Sequence, residues 1–190
     1  MKILFIDTET GGVNPQTSAL IQLSGIVRID KEDVEEFNFF IKPFPDSEVS
    51  EKALEVQGRM KEDFKKSEYL SEKEVYQKFK TILDKYIDKY DKTDKFLVAG
   101  YNIRFDIEML QSFFKRQKDN YLFSYLSSTQ IDPLPCIGLL QLCNKLPILQ
   151  NNKLETWCEH FGIEFQAHDS LEDIRATKKL IFEIVNVLRR

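Results

Sequence analysis

Apolar positions along this chain follow two spacings. Ile3 to Ile6 is a continuous apolar run, which predicts a buried strand. It leads into Asp7-Thr8-Glu9 and breaks at Thr10-Gly11-Gly12. Leu20 to Val27 predicts a second strand. Glu36 to Ile41 predicts a third, stopped by Pro43 and Pro45. Their short connections favour an antiparallel meander. Lys95 to Gly100 reads as a fourth, buried strand and Thr129 to Asp132 as a short fifth ending at Pro133.

Between these runs the spacing turns helical. Ser50 to Phe64 reads as a short helical region with a turn at Gly58. Ser71 with Glu74 forms a capping box. Behind it Val75, Phe79, Ile82, Leu83, Tyr86, Ile87 and Tyr90 make one apolar helix face. A further helix starts near Asp106, with Ile107, Leu110, Phe113 and Phe114 on its inner face. Its polar exit carries Lys115, Arg116 and Lys118, read as solvated surface rather than as phosphate contacts. Leu139, Leu140, Leu142 and Cys143 lie on another helix. Leu154, Trp157, Cys158 and Phe161 form a small one that Gly162 stops, with His160 on its polar side. In the last helix Asp169 and Glu172 supply a cap, His168 sits just outside, and Leu171, Ile174, Ile181, Ile184 and Leu188 point inward.

The length, 190 residues, suits a single domain, residues 1–190. A charge of −4 leaves no global basic footprint for coating a duplex. It is compatible with gripping a strand end through cations, which invert the local charge. Three cysteines, Cys136, Cys143 and Cys158, form no metal-binding set and predict reduced thiols in a cytoplasmic protein, packed in the core. The apolar start is too short for a signal peptide, and no run reaches membrane-spanning length, so no membrane partner is expected.

The candidate chemistry lies where these elements end. Side chains alternate along a strand, so Asp7 and Glu9 share a face, about 7 Å apart along the chain. Two acids on a largely buried strand repel, and a divalent cation resolves the conflict. Asp106, just past a strand end, and Asp173, in the first turn of the last helix, complete a set of four carboxylates, with His168 five residues before Asp173. Oxygen ligands suit Mg²⁺ or Mn²⁺. A pair of such ions can clamp both oxygens of a phosphoryl displacement, and a neutral imidazole can take a proton from the attacking water.

Three segments, in order, carry a resemblance: Phe5-Ile-Asp-Thr-Glu-Thr-Gly11, Asn102-Ile-Arg-Phe-Asp106 and His168-Asp-Ser-Leu-Glu-Asp173. They resemble the three motifs of the DEDDh (DnaQ-like) 3′–5′ exonucleases, a family that includes the epsilon proofreading subunit of DNA polymerase III, oligoribonuclease and ribonuclease T. Ala53 to Gly58 and Asn152 to Ile163 resemble further family segments, so the likeness covers nearly the whole chain.

The resemblance implies an α/β, ribonuclease H-like fold, a five-stranded mixed sheet flanked by helices. It implies two Mg²⁺ or Mn²⁺ ions on Asp7, Glu9, Asp106 and Asp173, with Asp7 bridging, and His168 as general base. It implies nucleotide contacts at Glu9, Thr10, Gly11, Gln57, Asn102 and Phe105. Gln57 replaces the His often found in proofreading subunits, and Gly12 follows Gly11 where Thr-Thr-Gly is more usual, which leaves substrate preference open. The expected activity is 3′–5′ removal of nucleoside 5′-monophosphates from DNA 3′ ends, chiefly single-stranded, with RNA trimming as the alternative. A catalytically silent nucleic-acid-binding domain is the reading from another class. Because the chain ends at Arg189-Arg190 on the last helix, a stand-alone trimming or repair nuclease is expected, or a proofreader docking on a replication or repair protein by another surface.

Overall fold

Alternation along the first strand decides the layering. The computed structural model describes residues 1–164 and 169–189. Its sheet contains β1 (Lys2–Thr10), β2 (Leu20–Ile29), β3 (Glu32–Ile41), β4 (Tyr69–Leu70), β5 (Phe96–Ala99) and β6 (Leu126–Ile131), in the spatial order β4-β3-β2-β1-β5-β6. The first three strands pair antiparallel, and β5 joins β1 in parallel, with β6 parallel beyond it. The sheet is therefore mixed and flanked by helices, as expected, but it has six strands rather than five. The extra one is two residues long and pairs with Phe40 and Ile41 at the edge. A strand that short has no periodicity to read.

The helices are α1 (Glu51–Val56), α2 (Glu72–Tyr86), α3 (Ile103–Arg116), α4 (Leu122–Tyr125), α5 (Pro133–Leu142), α6 (Leu154–Phe161) and α7 (Ser170–Arg189). Leu4 and Ile6 of β1 face α2 and α3, in a cluster with Phe79, Leu83, Leu110 and Phe113. Ile3 and Phe5 point the other way, onto Ile174 and Ile181 of α7. Fully burying such a side chain contributes about 1.5–3 kcal/mol, so α7 is firmly seated. Ion pairs at the rim add to this, Arg175 with Glu36 at 2.6 Å and Lys178 with Asp33.

Several boundaries differ from the sequence reading. The capping box forms, since the Ser71 hydroxyl accepts from the Glu74 N–H and the Glu74 carboxylate from the Ser71 N–H. However, α2 ends at Tyr86. Ile87 continues in extended backbone and stays buried, whereas Tyr90 is 85% exposed. The core needs Ile87 but not a further turn. Helix α3 begins at Ile103, three residues before Asp106, because Asn102 takes a left-handed conformation (φ 56°). Leu188 and Cys143 are exposed rather than core residues. Arg116 is neither solvated surface nor a free phosphate contact: it is paired with Glu72 at 2.7 Å and stacked over Phe44. No helix among the described residues is long and apolar enough to cross a membrane.

Candidate metal and active site

Strand alternation and one helix bring three acids together. Asp7 and Glu9 follow Ile3 and Phe5 on the face of the sheet that α7 covers. The first turn of α7 carries Asp173. The carboxylate oxygens of Asp7, Glu9 and Asp173 lie within 4.8 Å of one another. Helix α7 is started by Asp169, whose Oδ1 accepts from the N–H groups of Leu171 (3.0 Å) and Glu172 (3.3 Å). The expected cap is therefore present, and it sets the rotation that turns Asp173 inward.

Asp106 arrives by another route. It belongs to α3, on the opposite face, and is only 4% exposed. Its Oδ1 accepts from both the N–H (2.9 Å) and the hydroxyl (2.7 Å) of Thr8. Thr8 alternates away from Asp7 and Glu9, so the residue between the two acids ties down the fourth one. Asp106 is outside the three-acid group but close enough to raise the proton affinity of Asp7.

The electrostatics are those of crowded acids. Burial, then the charges of Asp106, Glu9 and Asp173, hold the Asp7 carboxyl well above the usual range. The buried Ser170 hydroxyl beside it favours the charged form, although among the described residues it closes no hydrogen bond of ordinary geometry. Burial pushes Glu9 up to about 7, against the opposing pull of the Arg59 guanidinium. Asp106 is also pushed to about 7 by burial, with the Thr8 hydrogen bonds working the other way. Carboxylates that resist ionising alone but converge on one point are a donor set for a hard divalent cation.

The remaining expected residues are spread around this cluster. Thr10 is buried and its hydroxyl donates to Gly12 O at 2.7 Å. Gly11 N–H bonds Ala19 O, and Gly11 O accepts from Ser50 N–H, both at 2.8 Å. A Cβ at Gly11 would lie 2.4 Å from Glu48 O, so the close approach of that loop already demands glycine. Gln57 donates from Nε2 to Thr10 O at 2.9 Å. Asn102 and the half-buried Phe105 sit at the start of α3, where Asn102 N–H donates to Asp132 Oδ1 at 3.2 Å. Asn102 also lines a groove of about 690 Å³ with Arg104, Ile131, Leu134 and Pro135. His168, the expected base, lies outside the described residues.

Two residues escaped the sequence reading. Thr8 looked like a spacer between two acids, and alternation alone would have sent it to the α3 face, where Asp106 waits. Arg59 follows Gln57 by two residues, and its charge acts on Glu9. The signal for it was a lone Arg in an otherwise neutral Val56-Gln57-Gly58 turn, too common a feature to stand out.

Comparisons with known proteins identify the family of this chain and match its fold. The family described as "RNase_T: Exonuclease" matches residues 4–181. Ribonuclease T of Buchnera aphidicola is 28% identical over 194 residues, covering 95% of this chain and 82% of that protein. The PolC-type DNA polymerase III of Thermotoga petrophila is 24% identical over 187 residues, but the chain spans only 12% of its length. Among solved structures, E. coli exonuclease I in complex with a dT13 oligonucleotide superposes with a TM-score of 0.75 at 20% identity, over 97% of this chain and 40% of that one.

Proposed function

Because the chain belongs to the RNase T/DnaQ-like exonuclease family, phosphodiester hydrolases that work from the 3′ end, we propose that it removes nucleoside 5′-monophosphates from the 3′ ends of DNA, single-stranded ends first. The convergence of Asp7, Glu9 and Asp173 on one point carries this reading. The PolC-type and exonuclease I likenesses support DNA as the substrate. RNA is the second reading, favoured by the ribonuclease T relatives, of which the chain covers most of the length.

In this reading Asp7, Glu9, Asp106 and Asp173 hold two divalent cations, Mg²⁺ or Mn²⁺. Bound cations would supply Lewis-acid polarisation of the phosphodiester and a more acidic water. The protein's own residues do the rest. Thr8 donates two hydrogen bonds to Oδ1 of Asp106, which fixes the carboxylate plane that would face a cation. The Asp169 cap and the Ile174 and Ile181 packing hold Asp173 against rotation of α7. His168 takes the proton of the attacking water, the P–O3′ bond to the penultimate nucleotide breaks, and its 3′ oxygen is protonated from solvent. Gln57, Thr10 and Gly11 line the side of Glu9 on which the terminal nucleotide rests, and Asn102 and Phe105 contact the nucleotide from the α3 side.

The test uses 5′-labelled single- and double-stranded DNA and RNA with Mg²⁺, Mn²⁺ or EDTA, beside Asp7→Ala. A ladder shortening from the 3′ end that disappears in EDTA and in Asp7→Ala is expected, with an unchanged far-UV spectrum for the variant. A fully active Asp7→Ala protein, or internal cutting alone, would overturn the proposal.

A further inference from the structure

Helix α5 has no charged face. No charged residue lies between Asp132, its N-cap, and Lys145, just past its end, in a chain that is 31% charged. Two apolar stripes run along it. Pro133, Ile137 and Leu140 are buried, and the last two pack with Trp157, Leu180 and Ile184. Pro135, Gly138, Leu139 and Leu142, at the spacing i, i+3, i+4 and i+7, form a second stripe that faces solvent. Leu139 is 64% exposed and Leu142 is 79% exposed. A helix that is apolar all round normally has both sides covered.

The outward stripe is graded by size. Its N-terminal half is small, Pro135 and Gly138, and its C-terminal half is large, Leu139 and Leu142. Gly138 serves no packing within the chain: among the described residues nothing lies within 4 Å of a Cβ built there, and its φ is not left-handed. A mid-helix glycine weakens a helix relative to alanine, so any use of this notch lies outside the chain's own fold.

Such grading is self-complementary under a two-fold axis. An antiparallel copy of α5, centred between Gly138 and Leu139, sets each Leu139 into the other's Gly138 notch and each Leu142 over the other's Pro135. The same register sets Asp132 of each copy against Lys145 of the other, so the charges that bracket the face are complementary as well. Gln141 Nε2 donates to Pro147 O at 2.9 Å, which holds the 88%-exposed Ile148 at the C-terminal end of the stripe. In the antiparallel copy that end meets the N-terminal end, where Ile131, Leu134 and Pro135 line the groove of about 690 Å³. One chain thus carries both the knobs and the holes. The helix alone is about 15 Å long. Ile148 and the groove extend the contact toward the roughly 800 Å² per partner of a standard interface.

We propose that α5 is the interface of a homodimer, with two copies of this chain packed antiparallel about Gly138 and Leu139. The pairing goes beyond the exonuclease reading and does not depend on it.

Sedimentation velocity of the full chain, from about 1 to 100 μM, reads the mass directly. The wild-type protein should pass from monomer toward dimer over that range. Every substitution counts twice in a two-fold pair, so Leu139→Asp should weaken association by at least about 100-fold. Lys145→Glu sets like charges together at both ends of the face and should weaken it by about 10-fold. Gly138→Leu separates the interface from the fold. Its Tm should match or exceed that of the wild type, because the added side chain meets open space in the monomer and favours the helix, yet the protein should stay monomeric. Leu142→Asp, at an exposed position, takes its place if Gly138→Leu melts early. A wild-type protein that is monomeric at 100 μM overturns the proposal and leaves the face to a different protein. A dimer that survives both Leu139→Asp and the substitution at position 138 or 142 has its contact elsewhere and overturns it too.

Discussion

Raising the pH of the metal-free protein from 5 to 8 should destabilise it. Glu9 and Asp106 titrate near pH 7 when folded, against ordinary values of 4.5 and 3.8, and Asp7 is raised as well. Between the ordinary value and the raised one, the folded state binds protons that the unfolded chain has released. Stability therefore falls as pH climbs through this window and levels off once the folded groups ionise. At about 1.4 kcal/mol per pH unit, each group alone is worth about 3 kcal/mol. They share the same neighbours, so a combined loss on the order of 5 kcal/mol is expected, a large part of a stability of about 5–15 kcal/mol. For a chain of this size that corresponds to a fall in Tm of about 10–20 °C.

Other ion pairs do not obscure the window. Asp33, Glu35, Asp94 and Asp119 have lowered values, so their stabilising contribution is complete before pH 5. The assay is thermal unfolding by circular dichroism at half-unit pH steps, in EDTA and again with excess Mg²⁺ or Mn²⁺. The cation should flatten the descent, because it replaces the bound protons, and at 100 times its dissociation constant it adds about 2.7 kcal/mol. Asp7→Asn should also flatten the metal-free curve by removing a charge from the crowd. A metal-free Tm that is level or rising from pH 5 to 8 would refute the reasoning.

Thr8→Val deletes the hydroxyl that donates to Asp106 at 2.7 Å while leaving the backbone donor in place. Losing a hydrogen bond to a charged group costs about 1.5–3 kcal/mol, so the acidic limb of the pH–rate profile should move up by about one unit; an unmoved limb would mean that Thr8 does not tune Asp106. Arg116→Ala strands the 8%-exposed Glu72 without its cation and should cost about 3–5 kcal/mol in urea unfolding. Its kcat at 20 °C should stay within about 2-fold of wild type, since Arg116 serves the fold and not the site.

How much of this was legible beforehand depends on how local each feature is. The four acids could be picked out because each marks the end of an apolar run or the start of a helix. The antiparallel meander followed from short connections between β1, β2 and β3. Strand β4 could not be read, because two residues have no period and their pairing with Phe40 and Ile41 exists only once the chain has returned to that edge. Arg59 was equally silent. Its meaning depends on Gln22, Asn38 and Phe40, which come to it from two strands, β2 and β3. In the sequence Gly11 marks only the break after β1, and its neighbours show a tighter constraint, since the Glu48 loop presses against it.

The sequence by itself determined which residues carry charge at the strand ends and which faces turn inward, because periodicity and capping act over a few residues. Only the tertiary structure decided that Asp7, Glu9 and Asp173 converge while Asp106 comes from the other face on a Thr8 tether. That division arises because β1 presents alternate side chains to two different helices, and no local pattern says which helix packs on which face.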